Sequence, residues 1–591
     1  MTNQLVSLSR LDRGLGAKYL IGDWCLLASE LYELHPNVEL LTKINLDKNF
    51  YITSKKITIK VYNEILPVIG KLLNEKVNKS FSIEFWELLL GPWLRQFLDV
   101  LYHRYMHLAS VDISANKVML VRPEDAIMPK TSDEFATLIF SDQLNHQILG
   151  QIIEYFNLTE HRSYINATES MPNNKILGRP KRNKVIVSVA AAISMAISRR
   201  SKVLIVNGYL DNKILVRNFL KNKWTPIPYA PKYIVKYEKP NLLERDTLFK
   251  KYDRKFKSKF TRLAYELIPK NMPLILFEEI ENLIRFSEKT YPKRAEKIIT
   301  ANNNSLGELV AAWIAWSKLQ NGAKYILLQH GSNYGQSLIN TDEEIEMKLG
   351  DIFLTSGWSM SNDSSHQNCK IQPHPSSCGM SGVRNFIVNK PNKSIKNYSL
   401  LILASFPRYY YTGWSAPQGH HFKEYLAEIV CLHNKLNTGL KEQIICREYH
   451  YDYGWNDKEF LAKNGLHFFH GKRRLSLSNL MMKSNCNIFS YNSTAFNESL
   501  VRNHVTFAYW SPEQWAWRDA AKPMIEELKR VNIYHVSADS LANFLNKFKK
   551  LEDIYDWWSS SEVQKAREIY CLSFANNLDC ETKQWNEILG H

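Results

Sequence analysis

No stretch of this 591-residue chain supplies the ~20 consecutive apolar residues that a membrane-spanning helix needs. The most apolar span, Val185 to Ile197, is closed off by Arg199, Arg200 and Lys202. The opening residues, MTNQLVSLSRLDRGLGAKYL, lack the apolar core of a secretion signal. The 8 cysteines are scattered and form no CxxC, so reduced thiols in a cytoplasmic protein are expected. GxGxxG, a Walker loop, HExxH and a nucleophile-elbow serine are missing too, which removes the usual signatures of dinucleotide, P-loop, zinc-protease and hydrolase chemistry. His366, Cys369, His374 and Cys378, with His420 and His421 beyond them, are spaced more loosely than structural zinc ligands usually are. No metal and no cofactor are therefore expected.

What is present points to a globular α/β protein with anionic partners. Apolar residues make up 45% and aromatic residues 12% of the chain, which excludes disorder. The length calls for more than one core. The 76 Lys and Arg against 59 Asp and Glu leave a net charge of +17, which favours nucleotide phosphates, acidic glycans or anionic surfaces. The densest basic stretch, with Lys250, Lys251, Arg254, Lys255, Lys257 and Lys259, would spread round a helix and reads as a solvated face.

Strand, turn and helix patterns alternate along most of the chain. Ala17 to Trp24 reads as a strand entering a turn, Thr58 to Leu73 and Ile83 to Leu108 as amphipathic helices, and Ser132 to Phe156 as helical. Gly91-Pro92 marks a kink or a helix start in the second of these. Arg162 to Lys184 reads as a polar connection. Strands are expected at Lys202 to Val206, Met272 to Phe277, Lys297 to Ala301, Tyr325 to Leu328 and Gly350 to Thr355. Asn389 to Tyr398 is polar and Lys-rich and reads as a linker. After it the pattern restarts with strands at Leu400, Gln443, His467, Asn487 and Val505, and helices at Pro512 to Val531, Asp539 to Lys549 and Ser561 to Asn577. The expected fold is two Rossmann-like α/β domains facing a cleft. Residues 1–390 form the first, with a helical insertion at about 55–160; residues 391–591 form the second, with terminal helices. In such folds ligands lie at the carboxyl ends of the strands.

Two strand ends carry the chemistry. YILLQHGSNY stops on Gln329, His330 and Gly331, and Ser332, Asn333 and Tyr334 follow, a dense run of hydrogen-bonding groups. A capped structural imidazole is the plainer alternative for His330, because catalysis also needs a partner within reach. Glu279, after MPLILF, is a candidate base near the same edge. In the second half, SYNSTAFNE places Ser490, Asn492, Ser493 and Thr494 between a strand and a helix, where free N–H groups and the dipole favour an anion. Glu498 lies one turn on from Thr494, on the same face. Arg447, Tyr449 and Arg408 sit at neighbouring strand ends and complete the predicted nucleotide set, while Gln329, Gly331, Asn333 and Tyr334 are expected to touch substrate.

Eight motifs, IGDWC (Ile21 to Cys25), LLGPWLRQF, LLQHGSNYG, FLTSGW (Phe353 to Trp358), CREYHYDYGW, SYNSTAFNESL, YWSPEQWAWR and WWSSSEVQKAR, together resemble a family of bacterial transferases encoded in surface-polysaccharide loci, related in architecture to GT-B glycosyltransferases. The resemblance implies a donor sugar nucleotide in the second domain and an acceptor in the first. His330 would act at the cleft as base or as hydrogen-bonding group, and Arg447 and the Ser490 to Glu498 turn would hold the nucleotide. The segment after Trp358 is richer in Cys and His than the resemblance leads one to expect. The expected activity is metal-independent transfer of a sugar, for instance a CMP-linked acidic sugar such as a nonulosonate or Kdo, to a bacterial surface glycan, free or lipid-linked. Contact with the inner face of the plasma membrane fits this, and a nucleic-acid partner does not. The alternatives are a polyol-phosphate transferase or sugar-nucleotide epimerase on the same fold, or a non-catalytic nucleotide- or glycan-binding protein.

Overall fold

The computed structural model describes residues 4–33, 36–42, 44–165, 193–208, 219, 225–227, 233–252, 256–303, 306–359, 369–373, 398–469 and 476–576. They form an α/β protein built on three sheets in which all neighbouring strands run parallel. The N-terminal sheet holds β1 (Leu5–Ser7), β2 (Tyr19–Leu20), β3 (Glu39–Leu40), β4 (Lys117–Val121) and β5 (Arg162–Ile165), in the order β3-β2-β1-β4-β5. The middle sheet holds β6 (Val203–Val206), β7 (Thr225–Ile227), β8 (Lys297–Thr300), β9 (Lys324–Leu328), β10 (Ile352–Thr355) and β11 (Lys370–Pro373), in the order β11-β10-β9-β8-β6-β7. The C-terminal sheet holds β12 (Ser399–Ile402), β13 (Ile444–Arg447), β14 (Asn487–Phe489), β15 (Thr506–Tyr509) and β16 (Tyr534–His535), in the order β13-β12-β14-β15-β16.

Residues 1–390 thus carry two sheets. The helices Lys48–Val77 and Ile83–Ala109 form the long crossover between β3 and β4. Pro92 lies inside a continuous helix rather than at a start. Arg162–Ile165, read as connection, is an edge strand paired with β4. MPLILF is not a strand: Leu274–Leu276 is a single 3-10 turn after Pro273, with Leu274, Ile275 and Leu276 all buried. A continuous apolar run fits either element, and the Pro-led turn prevails here. Of Pro512 to Val531 only Lys522–Arg530 is helical. The helix Leu551–Ser559 and strand β16 were unannounced by the pattern. Of the linker at Asn389 to Tyr398, residues 389–397 lie outside the described residues.

The strands nearest the candidate site form for a plain reason. Ser399–Ile402, Asn487–Phe489 and Thr506–Tyr509 are buried at every position, as strands covered on both faces by helices must be. In the C-terminal sheet the strand order reverses between β12 and β14. The crevice between their carboxyl ends is the switch point at which open α/β sheets take ligands.

Candidate active site

The turn after β14 sits at that switch point. Ser490 Oγ donates to the Ile402 carbonyl at the end of β12 (3.0 Å) and lies 2.7 Å from the Tyr425 hydroxyl. This ties the turn to both strands. Ser493 is extended (φ −149°, ψ 161°) and its hydroxyl accepts from Phe496 N–H, capping the helix Thr494–Val501. The N–H groups of Thr494 and Ala495 have no intrahelical acceptor, as in any first turn, and face outward with the positive end of the helix. Glu498 is held by Arg502 at 2.9 Å on the same helix. Asn492 is buried and donates to Gln336 Oε1 at 3.0 Å, while its own Oδ1 is buried without a partner.

A cavity of about 420 Å³ opens beside this turn, at the ends of β12 and β13. Ser405, Tyr449, Tyr451, Asp457, Lys458 and Phe468 are among its walls. The Tyr449 ring lies edge-on to Tyr491 of the turn, at 6.2 Å. Ser405 Oγ is buried and unpartnered, and burial pushes the Asp457 carboxyl up to about 6. Arg447 ends β13 and makes no ion pair among the described residues. Its charge, after burial, lowers the pKa of His450. Aromatic rings, hydroxyls and carboxylates around a cavity of this size can hold a small polar ligand.

His330 follows β9 on the facing edge of the middle sheet. Its Nδ1 lies 3.1 Å from the Tyr334 hydroxyl, which lies 2.9 Å from Glu346 Oε2; the Asn303 N–H donates to the other Glu346 oxygen. Burial holds Glu346 well above the usual carboxylate range and lowers His330 to about 4, a shift opposed by a hydrogen bond to the Ala301 backbone. The Tyr334 hydroxyl donates to Glu346, and the His330 ring also hydrogen-bonds the Ala301 backbone. Gln329 is spent internally: its Oε1 accepts from Ser356 N–H (3.0 Å) and Trp358 Nε1 (2.7 Å), and its Nε2 donates to the Gly331 carbonyl. The loop can turn back because Gly335 adopts φ +71° directly over Trp358, where a Cβ would sit 2.4 Å from the ring. Asn333 Oδ1 is buried without a partner.

Two predicted residues have other company. Arg408 is buried and bonded through all three guanidinium nitrogens: Nε to the Tyr453 carbonyl, Nη1 to the Trp24 carbonyl and Asp142, and Nη2 to Asp142 at 2.6 Å. It fastens the C-terminal sheet to the N-terminal one. Glu279 is buried and accepts from Tyr233 Oη (2.7 Å), Lys236 N–H (2.9 Å) and Asn282. With MPLILF a 3-10 turn, Glu279 stands before the helix Ile280–Thr290 and not at a strand end.

A second cavity, about 550 Å³, opens where all three sheets approach one another. Asp23, His107, Trp414, His421, Glu424 and Ser511 are among its walls. Burial, reinforced by Glu424, pushes Asp23 up to about 7, while burial keeps His421 down at about 4 and His107 at about 3. Neutral imidazoles and carboxylates of this kind hydrogen-bond hydroxyl groups, and Asp23 titrates where a general base works best. Sequence reasoning quoted IGDWC without a role for Asp23. It also passed over Gln336 and Glu346, whose partners lie on other elements. Among the described residues no group of three His, Cys, Asp or Glu could hold a metal; His366, His374 and Cys378 lie outside them.

The sequence profile described as LIC12162 family transferase matches residues 8–589. The chain belongs to this transferase family. No curated protein matches it. Among solved structures, the LIC12162 family chain overlaps the wall teichoic acid polymerase TagF with a TM-score of 0.30 and 9% identity, covering 68% of this chain and 91% of that one. It overlaps the Thermobaculum terrenum O-GlcNAc transferase with a TM-score of 0.30 and 8% identity, covering 83% and 81%. Overlap at that level says nothing about chemistry. No helix of this family member is long and apolar enough to cross a membrane among the described residues.

Proposed function

We propose that this transferase moves a glycosyl group from a nucleotide-sugar donor to a surface glycan. The reading is carried by the Asn492–Gln336 hydrogen bond. It sets the switch-point turn of the C-terminal sheet against the loop of His330, so two ligand-type strand edges meet in one place. The nucleoside occupies the 420 Å³ cavity against Tyr449, with Asp457 accepting from sugar hydroxyls. The phosphate lies between Arg447 and the N–H groups of Thr494 and Ala495, which stabilise the leaving charge without a metal. Ser490, Asn492 and Ser493 shape that turn, and Glu498 steadies its helix through Arg502.

An imidazole held down at about 4 is a poor base at neutral pH. His330 therefore serves as a neutral hydrogen-bond donor to the donor sugar or its phosphate, released from Ala301 and oriented by Tyr334 and Glu346. The acceptor occupies the cavity over Asp23, which takes the proton from the attacking hydroxyl. The net charge of +17 favours an acidic sugar, and we put a CMP-linked one first, with a glycan or lipid-linked glycan as acceptor near the inner membrane face. The test is to follow thermal unfolding of the chain with CMP-, UDP-, GDP- and dTDP-sugars, then assay transfer. Stabilisation by one nucleotide with turnover is the expected result. Failure of all four to bind overturns the reading.

A further inference from the structure

The loop from Tyr233 to Asn241 and the helix Leu242–Lys251 that follows it carry apolar side chains on the outside of the protein. Leu243 is 80% and Ile234 78% exposed, more than any other large apolar side chain among the described residues, and Leu242 and Tyr237 are about half exposed. A single exposed apolar residue is ordinary on a surface, whereas a cluster of them between positions 234 and 243 marks a place of contact.

The exposure is built into the fold. Glu279 accepts from Tyr233 Oη at 2.7 Å and from the Lys236 N–H at 2.9 Å, and its neighbour Glu278 accepts from the Asn241 N–H at 3.0 Å. Both ends of the loop are thus held on adjacent residues, with Tyr237 and Lys239 exposed between them. Glu279, expected as a base, has this work instead. On the inner face of the helix Arg245 is fully buried, ion-paired with Glu278 and bonded to the Pro269 and Met272 carbonyls, and Phe249 packs on the Tyr265 ring. With that face fixed inward, Leu243 and Lys250, about two helical turns apart, share the outward one.

The charges around these side chains are unbalanced in one direction. Glu238 is answered by Lys130, Glu244 by Lys76 and Glu278 by Arg245, which leaves Asp246 as the exposed acid on the helix. Against it stand Lys239 and Lys250, and Lys257 and Lys259 at the start of the helix Lys259–Asn271, all exposed and none in an ion pair among the described residues. The Tyr265 hydroxyl, bonded to the Phe249 carbonyl at 2.9 Å, holds that helix against the first. Aliphatic tips interleaved with a tyrosine and with lysines match the headgroup layer of an anionic bilayer, where the tips reach the acyl boundary, the phenol stays at the interface and the lysines meet lipid phosphates. A protein partner would have to present pockets and carboxylates at this spacing; a bilayer offers both everywhere. No helix among the described residues is long and apolar enough to cross a membrane, so the contact is peripheral.

We propose that Ile234, Tyr237, Leu242 and Leu243 enter the headgroup layer of an anionic phospholipid bilayer, with Lys239 and Lys250 on its phosphates. The surface shares only the membrane with the proposed function and uses no step of glycosyl transfer.

The experiment is co-sedimentation of the full chain, without nucleotide or acceptor, with vesicles of phosphatidylcholine alone and with vesicles in which about a third of the lipid is phosphatidylglycerol. Binding to the anionic vesicles is expected to be at least about tenfold tighter and to weaken as salt is raised. Ile234→Glu combined with Leu243→Glu should weaken it by about tenfold or more, while Leu15→Glu, at an exposed apolar site between the first two strands of the N-terminal sheet, should change it little. Should the double variant fold poorly, Lys239→Glu combined with Lys250→Glu, both at exposed positions, should weaken the same binding to a similar extent and flatten its salt dependence. No binding to anionic vesicles, equal binding to both kinds, or full affinity in both folded double variants overturns the proposal. So does self-association that the Ile234 and Leu243 substitutions abolish in a chain that binds no vesicles, since a second copy then covers the surface. Nucleotide-sugar binding without vesicle binding removes this surface and leaves glycosyl transfer standing; vesicle binding without nucleotide-sugar binding does the reverse.

Discussion

Where the C-terminal sheet meets the N-terminal one, Arg408 spends every guanidinium nitrogen on Asp142 and the carbonyls of Trp24 and Tyr453, and Tyr409 adds a hydroxyl to the same carboxylate at 2.5 Å. Where the turn after β14 meets the loop of His330, Asn492 donates to Gln336 at 3.0 Å beside the Tyr570 hydroxyl, while bonds such as Arg518 to Glu343 and the Ile339 N–H to Ser415 join the same two parts elsewhere. Asn492 Oδ1, Asn333 Oδ1 and Ser405 Oγ are left nearby, buried and unanswered. Both contacts are polar and both are buried, yet one is saturated and the other is not. Buried polar groups are normally satisfied, so the saturated contact is a fastening and the unsaturated one a receiving surface. An arginine at a strand end carries no mark of which kind it is: Arg408 and Arg447 look alike in sequence and differ only in whether an acidic partner from another sheet reaches them.

The comparison breaks most sharply at Asp142. Asp142→Ala leaves a buried guanidinium unpaired and should lower stability by about 3–5 kcal/mol, read from chemical denaturation; a loss below about 1 kcal/mol would mean that the fastening is not one. Asn492→Ala should cost far less in the same measurement, yet remove the nucleotide response. Next comes Asp23→Asn, which should slow transfer by about a hundredfold or more while nucleotide binding is retained; unaltered turnover would take the proton from Asp23. Arg447→Ala should weaken the donor nucleotide by about tenfold, and equilibrium binding at two salt concentrations checks it, since a lost charge contact also flattens the salt dependence.

The smallest effect is a matter of sign. Burial raises Glu346 in the fold, whereas the unfolded chain ionises it near about 4.5. Ionisation therefore favours unfolding as pH rises from there toward the folded value. Glu346→Gln removes that drift, so its stability relative to the unsubstituted protein should improve from pH 5 to pH 8. A constant difference across that range would show that burial does not raise Glu346 in the fold. His330 itself acts in the opposite sense, since its lowered value makes the fold lose stability as pH falls from about 6.5 toward about 4.

The strands flanking the site were legible because they are short apolar runs of three to five residues closed by polar turns, as at Lys324–Leu328, Asn487–Phe489 and Thr506–Tyr509. The N-terminal sheet was legible only at Tyr19–Leu20, inside the strand expected from Ala17. Glu39–Leu40 has two residues, too few for any periodicity, and the crossover helices of 30 and 27 residues dominate the pattern around it. One expected α/β domain accordingly separates into two sheets. The Ser490 to Ser493 turn could be read because cap chemistry is local. Glu346 and Gln336 could not, because each matters only through a partner brought in from elsewhere, and Asp23 only through the burial that moves it.

The most direct measurement is hydrogen–deuterium exchange of the whole chain with and without the nucleotide sugar that stabilises it. Slowed exchange is predicted in residues 403–406, 447–453 and 489–497 of the C-terminal sheet and in residues 329–336 across from them, with the segments around Arg408 and Asp142 already slow and unchanged. Protection centred on the Arg408 contact, with residues 489–497 and 329–336 unaffected, would contradict the assignment of the two contacts.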